Sequence, residues 1–234
     1  MTILLIFDVE TSGLLPKDYK IGQPFNSLSR FPYILQLSYL LYDLERLVVI
    51  ETYNQYITKP SHLTISKEIT DLTGISEDIL KEKGIPIEEA LESFKNAYLH
   101  ANHLIAHNFD FDSTMINIEI ERNRSFMTPQ NYNVLSNIFN KNNLQEYGVL
   151  FECTMQMTVT FCNLERTNSR GVYKKLPKLS ELYQILFDTT LENLHDSMVD
   201  VFACLRCYLK YKYEYTIEES EFHTLIEKAL SMSI

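Results

Sequence analysis

A short apolar run that ends in two acids constrains the fold of this chain more than any other stretch. Residues 3–7 read Ile-Leu-Leu-Ile-Phe, and Asp8 and Glu10 follow with Val9 between them. A continuous apolar run of this length predicts a strand that is buried on both faces of a sheet. Side chains two residues apart in a strand point to the same face. Asp8 and Glu10 are therefore predicted to lie together where a core strand meets its loop.

This pair of carboxylates has two interpretations. Two like charges held together repel each other, and divalent cations, which prefer carboxylate oxygens, would offset that repulsion. The alternative is that Asp8 and Glu10 only mark the point at which the strand reaches solvent. The stretch by itself leaves both interpretations open.

Composition limits the classes of protein that this chain can be. Its 234 residues, 45% of them hydrophobic, suit one globular domain with a sizeable core. Its net charge of −10 argues against a protein that holds nucleic acid by bulk charge, but not against an enzyme with local basic contacts. No apolar run reaches the roughly 20 residues of a membrane span, and the N-terminus lacks the basic segment of a signal peptide.

Cysteine usage gives a further expectation about the compartment. Four cysteines in a chain of this size without a secretion signal predict free thiols in a reducing, cytoplasmic setting, and they are Cys153, Cys162, Cys204 and Cys207. The spacing Cys204-x-x-Cys207 could suit a metal pair, but no second pair at zinc spacing accompanies it. Buried free thiols are the prediction.

Hydrophobic patterns along the chain predict an α/β fold. Strands are predicted at residues 3–7, 34–42, 47–57, 103–106 and 150–152. Helices are predicted at residues 66–72, 86–99, 132–139, 154–162, 179–187 and 218–230, with two more running to about residues 122 and 213. Residues 15–33 and most of 123–149 are predicted to be loops, and residues 163–177 a basic connector. The order of elements predicts a mixed sheet in a single domain, residues 1–234.

Acids recur at three places where strands end or helices begin. They are Asp8 with Glu10, Asp110 with Asp112, and Asp196 with Asp200, the last preceded by His195. Five residues along a straight helix place His195 and Asp200 about 140° apart after the full turn. His195 is therefore expected in the approach loop, with the helix beginning at Asp196 or Ser197 and Asp200 on its first inward face.

Three motifs in this order carry a resemblance. Asp-Val-Glu-Thr-Ser-Gly at residues 8–13, His-Asn-x-x-Phe-Asp at 107–112 and His-x-x-x-x-Asp at 195–200 resemble the motifs of the DEDDh family. These are the 3′→5′ exonucleases related to bacterial proofreading subunits and exonuclease I. The resemblance implies an RNase H-like three-layer fold, with a central mixed sheet of about five strands flanked by helices. The exonuclease core would span residues 3–210, with a C-terminal helical extension at 216–232.

The resemblance also implies roles for single residues. Asp8, Glu10 and Asp200 match the metal-binding acids of the family, and His195 matches its general base. The family spacing puts the fourth acid five residues after the histidine and directly after an aromatic, which selects Asp112 over Asp110. The four carboxylates would hold two Mg²⁺ or Mn²⁺ ions for two-metal hydrolysis.

Other motif residues have structural alternatives. By the family pattern, the substrate's 3′ end would be held by Thr11, Ser12, Gly13 and Leu14. Gly13 could instead serve only the turn, and Leu14 only the core. His107 and Asn108 belong to the second motif, where hydrogen bonding of the turn is favoured over contact with substrate.

The implied function is release of nucleoside 5′-monophosphates from 3′ ends. Single-stranded or frayed DNA is the first choice of substrate and RNA the alternative, because the residues do not identify a contact to the 2′-OH. A module that binds nucleic acid or a partner without cleaving is the alternative of another class. No polymerase accompanies the motifs, so proofreading would need a separate polymerase partner. The basic stretch could contact phosphate or be merely solvated, and it contains Arg166, Arg170, Lys174, Lys175 and Lys178.

Overall fold

A five-stranded sheet lies at the centre of this computed structural model, which describes residues 1–140, 148–191 and 196–231. The strands are β1 (Ile3–Thr11), β2 (Ile34–Asp43), β3 (Val48–Tyr56), β4 (His103–Ala106) and β5 (Leu150–Cys153). They lie side by side in the order β3, β2, β1, β4, β5. β1 is antiparallel to β2 and parallel to β4, and β4 is parallel to β5, so the sheet is mixed as predicted.

β1 is the middle strand, and its apolar run is buried on both faces. No residue from Ile3 to Phe7 is more than 4% exposed. Phe7 contributes to the core on one face of the sheet, and Ile6 contributes to the core on the other. A continuous apolar run is required here because each face of the strand is covered by helices.

Helices cover both faces and complete three layers. They are α1 (Lys67–Thr73), α2 (Glu77–Lys83), α3 (Ile87–Tyr98), α4 (Phe109–Arg122), α5 (Pro129–Leu135), α6 (Thr154–Met157), α7 (Val159–Cys162), α8 (Leu179–Phe187), α9 (Ser197–Tyr213) and α10 (Glu219–Ser231). One face packs against α3 and α4, and the other against α8, α9 and α10. The prediction of a three-layer α/β fold is confirmed.

Differences from the predicted elements lie in the short helices. Helix α2 was not among the predicted elements, although the Ser76 hydroxyl accepts a hydrogen bond from the Ile79 N–H and caps this helix. The helix predicted over residues 154–162 is interrupted at Thr158. The helix predicted to begin at Tyr132 begins at Pro129 instead, because Thr128 caps it. Part of the predicted loop, residues 141–147, lies outside the described residues.

The predicted basic connector contains a two-stranded hairpin, which corrects the prediction for residues 163–177. β6 (Glu165–Asn168) pairs antiparallel with β7 (Gly171–Lys174), and every residue of both strands is exposed. Gly171 has a φ of 119°, a backbone conformation that favours glycine at this turn. Exposed strands of four residues lack the apolar alternation that identifies a strand in sequence.

Several smaller predictions also have a structural outcome. Residues 15–33 form the predicted loop, with a 3₁₀ turn at Leu28–Arg30. The predicted C-terminal helix is present as α10, and Phe222 buries it against the core beside α9. The four cysteines are buried free thiols, as predicted. Among the described residues, no helix is both long and apolar enough to span a membrane.

Candidate active site

Asp8 and Glu10 lie at the carboxyl end of β1, on the sheet face that α9 covers. Two residues apart on one strand, their side chains share this face, and both are partly buried. The ladder with β2 shifts register between Glu10 and Thr11, directly beyond the pair. The parallel strand β4 ends at the same edge of the sheet, and α4 begins there. The carboxylates thus occupy the edge at which α/β folds commonly bind ligands.

Asp200 reaches this pair from the first turn of α9. The helix begins at Ser197, and the Asp196 carboxylate caps it by accepting the Met198 N–H at 2.9 Å. One carboxylate oxygen from each of Asp8, Glu10 and Asp200 lies within 4.8 Å of the other two. Among the carboxylates, histidines and cysteines of the described residues, these three carboxylates form a group whose spacing could hold a metal ion.

Asp112 approaches from the opposite helix layer, in the first turn of α4. It is 2% exposed, and its Oδ1 accepts a hydrogen bond from the Val9 N–H at 3.3 Å. Val9 is the residue between Asp8 and Glu10, so this bond brings Asp112 to the pair. Asp112 lies outside the group of three with metal spacing, and its role as a ligand stays a prediction.

Asp110 points elsewhere. Two residues along a helix rotate a side chain by about 200°, which carries Asp110 to the far side of α4. Its Oδ2 accepts a hydrogen bond from Gln156 Nε2 at 3.2 Å, and it lines a cleft of about 630 Å³. The structure therefore places Asp112, and not Asp110, beside the acids of β1.

Burial and mutual repulsion raise the pKa values of these acids. The pKa of Asp8 is raised well above its usual range by burial, then by the charges of Asp112 and Asp200. Burial and the charge of Asp200 raise the pKa of Glu10 to about 8. Burial raises the pKa of Asp112 as well, against the Val9 hydrogen bond, which lowers it. Bound cations would relieve both the burial cost and the repulsion, so the residues present fit divalent metal ions.

The loop after β1 holds Thr11, Ser12, Gly13 and Leu14 in different settings. The Thr11 hydroxyl donates to the Gly13 carbonyl at 2.7 Å. The Ser12 N–H donates to the Tyr33 carbonyl, and the Ser12 hydroxyl accepts the Tyr33 N–H, each at 2.9 Å. Leu14 is 85% exposed, so the alternative that it is a core residue is wrong.

Gly13 is not required by the fold at this point. A Cβ built on Gly13 would meet only Pro32 Cβ, at 4.0 Å. Its φ is also not among the positive values of the chain. The protein itself has room for a side chain here, so a turn does not account for the glycine.

His107 and Asn108 connect β4 to α4. The His107 Nδ1 lies 2.9 Å from Thr154 Oγ1, and its Nε2 lies 3.1 Å from the Pro177 carbonyl. Burial lowers the pKa of His107 to about 4, so the ring is neutral at pH 7 and Nε2–H donates to Pro177. Asn108 has a φ of 75° at the helix start. The hydrogen bonds of His107 fit the structural alternative, whereas the Asn108 side chain forms no capping hydrogen bond at the start of α4. His195, the predicted base, lies outside the described residues.

Comparison with known proteins decides the family. A family model described as exonuclease matches residues 5–208. The chain belongs to this exonuclease family. The predicted membership of the DEDDh type, in the RNase H-like superfamily, is confirmed, as is the predicted class of enzyme. A comparison with curated protein sequences finds no match.

Solved structures similar to this exonuclease share its fold at low identity. Escherichia coli exonuclease I in complex with a dT13 oligonucleotide is 16% identical, with a TM-score of 0.60 over 92% of this chain and 42% of that one. The zinc-bound E. coli exonuclease I–ssDNA complex is 16% identical, with a TM-score of 0.61 over 97% and 43%. Exonuclease I from Methylocaldum szegediense is 15% identical, with a TM-score of 0.60 over 97% and 43%. The chain spans less than half the length of these proteins.

The exonuclease site also has a buried polar support that sequence analysis missed. Ser38 lies opposite Asp8 in the β1–β2 ladder, and its Oγ is 2.5 Å from Ser197 Oγ at the start of α9. The Ser38 hydroxyl and the Gln36 amide both reach Asn54 Oδ1 at 2.8 Å. The sequence does contain a signal for this support. Gln36 and Ser38 are two polar residues on the same face of an otherwise apolar strand.

Proposed function

We propose that this chain is a divalent-metal-dependent 3′→5′ exonuclease that releases nucleoside 5′-monophosphates from single-stranded or frayed DNA. The observation that carries the proposal is the convergence of Asp8, Glu10 and Asp200 within 4.8 Å at one sheet edge. Asp112, held against Val9, is the fourth acid. A site with this concentration of carboxylates repels a phosphate backbone unless cations neutralise it, which supports metal dependence.

The carboxylates would hold two Mg²⁺ or Mn²⁺ ions. When bound, such ions supply Lewis acidity, a lowered pKa for water and charge to balance the departing oxygen. Asp8 lies near both Glu10 on its own strand and Asp200 on α9, and it would hold the ions together with these two acids. Asp112 would add a fourth carboxylate, and its Oδ1 is fixed by a hydrogen bond from the backbone of β1.

The proton balance assigns a role to His195. Hydrolysis forms a bond between a water oxygen and the last phosphorus and breaks the bond from that phosphorus to the 3′ oxygen. The water must lose a proton, and the 3′ oxygen must gain one. An imidazole with an ordinary pKa near 6.5 can accept the first proton at neutral pH. His195 directly precedes Asp196, the cap of the helix that carries Asp200.

The loop after β1 would receive the terminal nucleotide. Leu14, four residues after Glu10, exposes an apolar side chain that could pack against a base. Gly13 leaves space that the protein itself does not fill, so a substrate backbone can approach closely. Thr11 and Ser12 are fixed by hydrogen bonds to Gly13 and Tyr33, which holds this loop in one conformation.

DNA is proposed ahead of RNA because two of the similar structures contain DNA. Those structures are complexes of exonuclease I with a dT13 oligonucleotide and with single-stranded DNA. Residues 1–234 would act as one exonuclease domain, with α10 as a C-terminal helical extension on α9. Any role in proofreading would depend on a separate polymerase.

A side-by-side digestion tests the proposal. The substrates are single-stranded DNA, duplex DNA and RNA, each labelled at the 5′ end, with Mg²⁺, Mn²⁺ or EDTA. We expect stepwise shortening of single-stranded DNA from its 3′ end, release of 5′-monophosphates, and loss of both with EDTA or with Asp8→Asn. Faster shortening of RNA would replace the proposed substrate. Binding without any shortening under these conditions would identify a non-catalytic module instead.

A further inference from the structure

The basic hairpin, defined as residues 165–178, is a cationic surface on an acidic protein. It carries one acid, Glu165, and five basic residues, Arg166, Arg170, Lys174, Lys175 and Lys178, in a chain of net charge −10. Lys175 forms an ion pair with Glu181 at the start of α8. In the described part of the chain, the other four basic side chains form no ion pair, and all four are exposed. Apart from Lys178, which also interacts electrostatically with Glu181, their charge is available to a ligand.

A concavity of about 520 Å³ opens on this hairpin. It is lined by Arg166, Tyr173, Lys174, Lys175, Leu176 and Lys178. Arg166 and Tyr173 face each other across the hairpin ladder, and side chains at opposed positions of a ladder share one face. Tyr173 is 44% exposed, so one aromatic ring lies among cations on an open surface. Cations that neutralise phosphates, beside a ring that stacks on bases, are the chemistry that holds single-stranded nucleic acid.

The hairpin is fixed at the sheet edge that carries the acids. The segment after β7 contains the buried Pro177, whose carbonyl accepts the Nε2–H of His107. His107 directly follows β4 and also contacts Thr154, directly after β5. Five residues beyond His107 is Asp112. The concavity and the carboxylates therefore lie at the carboxyl ends of the same parallel strands.

We propose that the basic hairpin holds the phosphate backbone of the single-stranded nucleic acid whose 3′ end enters the carboxylate site. This inference rests on the proposed exonuclease function. The hairpin supplies positive charge away from the reacting bond, in a protein whose overall charge repels the polymer. It is thus a determinant of affinity for long strands, and a substrate that fills only the carboxylate site does not need it.

The test compares two double variants with equal changes in charge. Arg166→Glu with Lys174→Glu alters the concavity. Lys81→Glu with Lys83→Glu reverses two exposed lysines on α2, which packs beside β3 at the other edge of the sheet. Fluorescence anisotropy measures the Kd for labelled thymidine and uridine oligonucleotides of about 20 nucleotides, between about 50 and about 200 mM salt. EDTA prevents hydrolysis and removes the cations through which the carboxylates could bind phosphate.

A second assay measures the carboxylate site alone. It follows hydrolysis of the p-nitrophenyl ester of thymidine 5′-monophosphate with Mn²⁺.

The expected result is specific to the hairpin and to strand length. The hairpin variant should bind the oligonucleotide about tenfold more weakly, with the slope of log Kd against log salt reduced by about 1.4 for two lost phosphate contacts. Its ester hydrolysis should match the wild type, which also shows that it folds. An equal loss for thymidine and uridine strands indicates backbone contacts common to both, and a loss for one alone identifies the polymer held.

Two failures are distinguishable. If the hairpin variant binds long strands as tightly as the α2 variant does, while the ester is still hydrolysed, the hairpin inference is overturned and the exonuclease proposal stands. If the wild-type protein hydrolyses neither the ester nor the oligonucleotide, the exonuclease proposal fails. A hairpin-dependent Kd would in that case still assign the surface to nucleic acid, on a protein that binds without cleaving.

Discussion

The backbone N–H of Val9 donates a hydrogen bond to Asp112 Oδ1, 3.3 Å away. This bond joins the middle strand of the sheet to the first turn of α4, across 103 residues of chain. Because Val9 separates Asp8 from Glu10, the peptide that spaces these two acids also fixes Asp112. One Asp112 oxygen is thereby held by the backbone of β1, which fixes this carboxylate beside the pair.

Neutralising Asp112 should abolish hydrolysis, and neutralising Asp110 should not. Asp112→Asn keeps an oxygen that can accept the Val9 N–H but removes the charge, so we expect the rate on single-stranded DNA to fall by about 10²-fold or more. Asp110→Asn is the matched control, in the same helix turn but directed at Gln156. We expect its rate within about twofold of the wild type. A greater loss from Asp110→Asn than from Asp112→Asn would reverse the assignment of the motif.

Metal should stabilise the protein through Asp8. Burial, and after it the charges of the neighbouring acids, raise the pKa of Asp8, so the ionised acid destabilises the metal-free fold. Asp8→Asn in EDTA should raise Tm by about 2–4 °C for each ~1 kcal/mol of relieved strain. Mg²⁺ at about 100 times its Kd should stabilise the wild type by about 2.7 kcal/mol and have a smaller effect on the variant.

Calorimetry with and without Mg²⁺ measures both the change in Tm caused by Asp8→Asn and the response of each protein to the metal. Asp78→Asn, an exposed acid on α2, is the control and should change neither value. A wild-type Tm that does not respond to Mg²⁺ or Mn²⁺, or an equal response in Asp8→Asn, would contradict a metal site at this carboxylate.

The sheet and most of the helices could be predicted because their signals are local. The run at residues 3–7 is apolar at every position, which is the pattern of a strand covered on both faces. Residue spacing also identified Asp8 and Glu10 as neighbours, because alternation in a strand is fixed by the backbone. The choice between Asp110 and Asp112 required the family pattern, since residue type alone does not say which face of a helix meets the sheet.

The rest depended on contacts that no local pattern records. Ser38 and Ser197 are 159 residues apart, and the sequence around either residue does not predict their contact. The hairpin strands are four residues long and fully exposed. Their sequence therefore lacks the alternation of apolar and polar residues that predicts a half-buried strand. The alternative of a core role for Leu14 followed the rule that apolar residues are usually buried, yet Leu14 is 85% exposed.

The Ser38–Ser197 contact should position Asp200. It joins β2, opposite Asp8, to the first residue of α9, three residues before Asp200. Ser197→Ala removes this bond at a cost of about 1 kcal/mol. A small displacement of α9 should lower kcat about tenfold with less change in KM, and raise the Mn²⁺ concentration needed for half-maximal rate.

Ser113→Ala is the matched control for that experiment. Ser113 is also buried, but its hydroxyl bonds the Asp110 carbonyl within its own helix and joins no second element. It should alter neither kcat nor the Mn²⁺ dependence. If Ser197→Ala lowers Tm but leaves kcat and the Mn²⁺ dependence unchanged, the contact is structural only.

His107 should make stability fall in mild acid. Burial lowers its pKa to about 4, below the ordinary value of about 6.5 in the unfolded chain. As pH falls below about 6.5, the unfolded state binds a proton that the folded state does not, so the free energy of unfolding decreases until about pH 4. The gap between pKa values of about 6.5 and about 4 sets an upper limit of roughly 3 to 4 kcal/mol for this loss. Urea unfolding at several pH values, compared between wild type and His107→Gln, isolates this contribution from that of the acids. The variant should lose less stability between pH 7 and pH 4 than the wild type. If both proteins lose the same free energy of unfolding over this range, His107 is protonated as readily in the folded protein as in the unfolded chain.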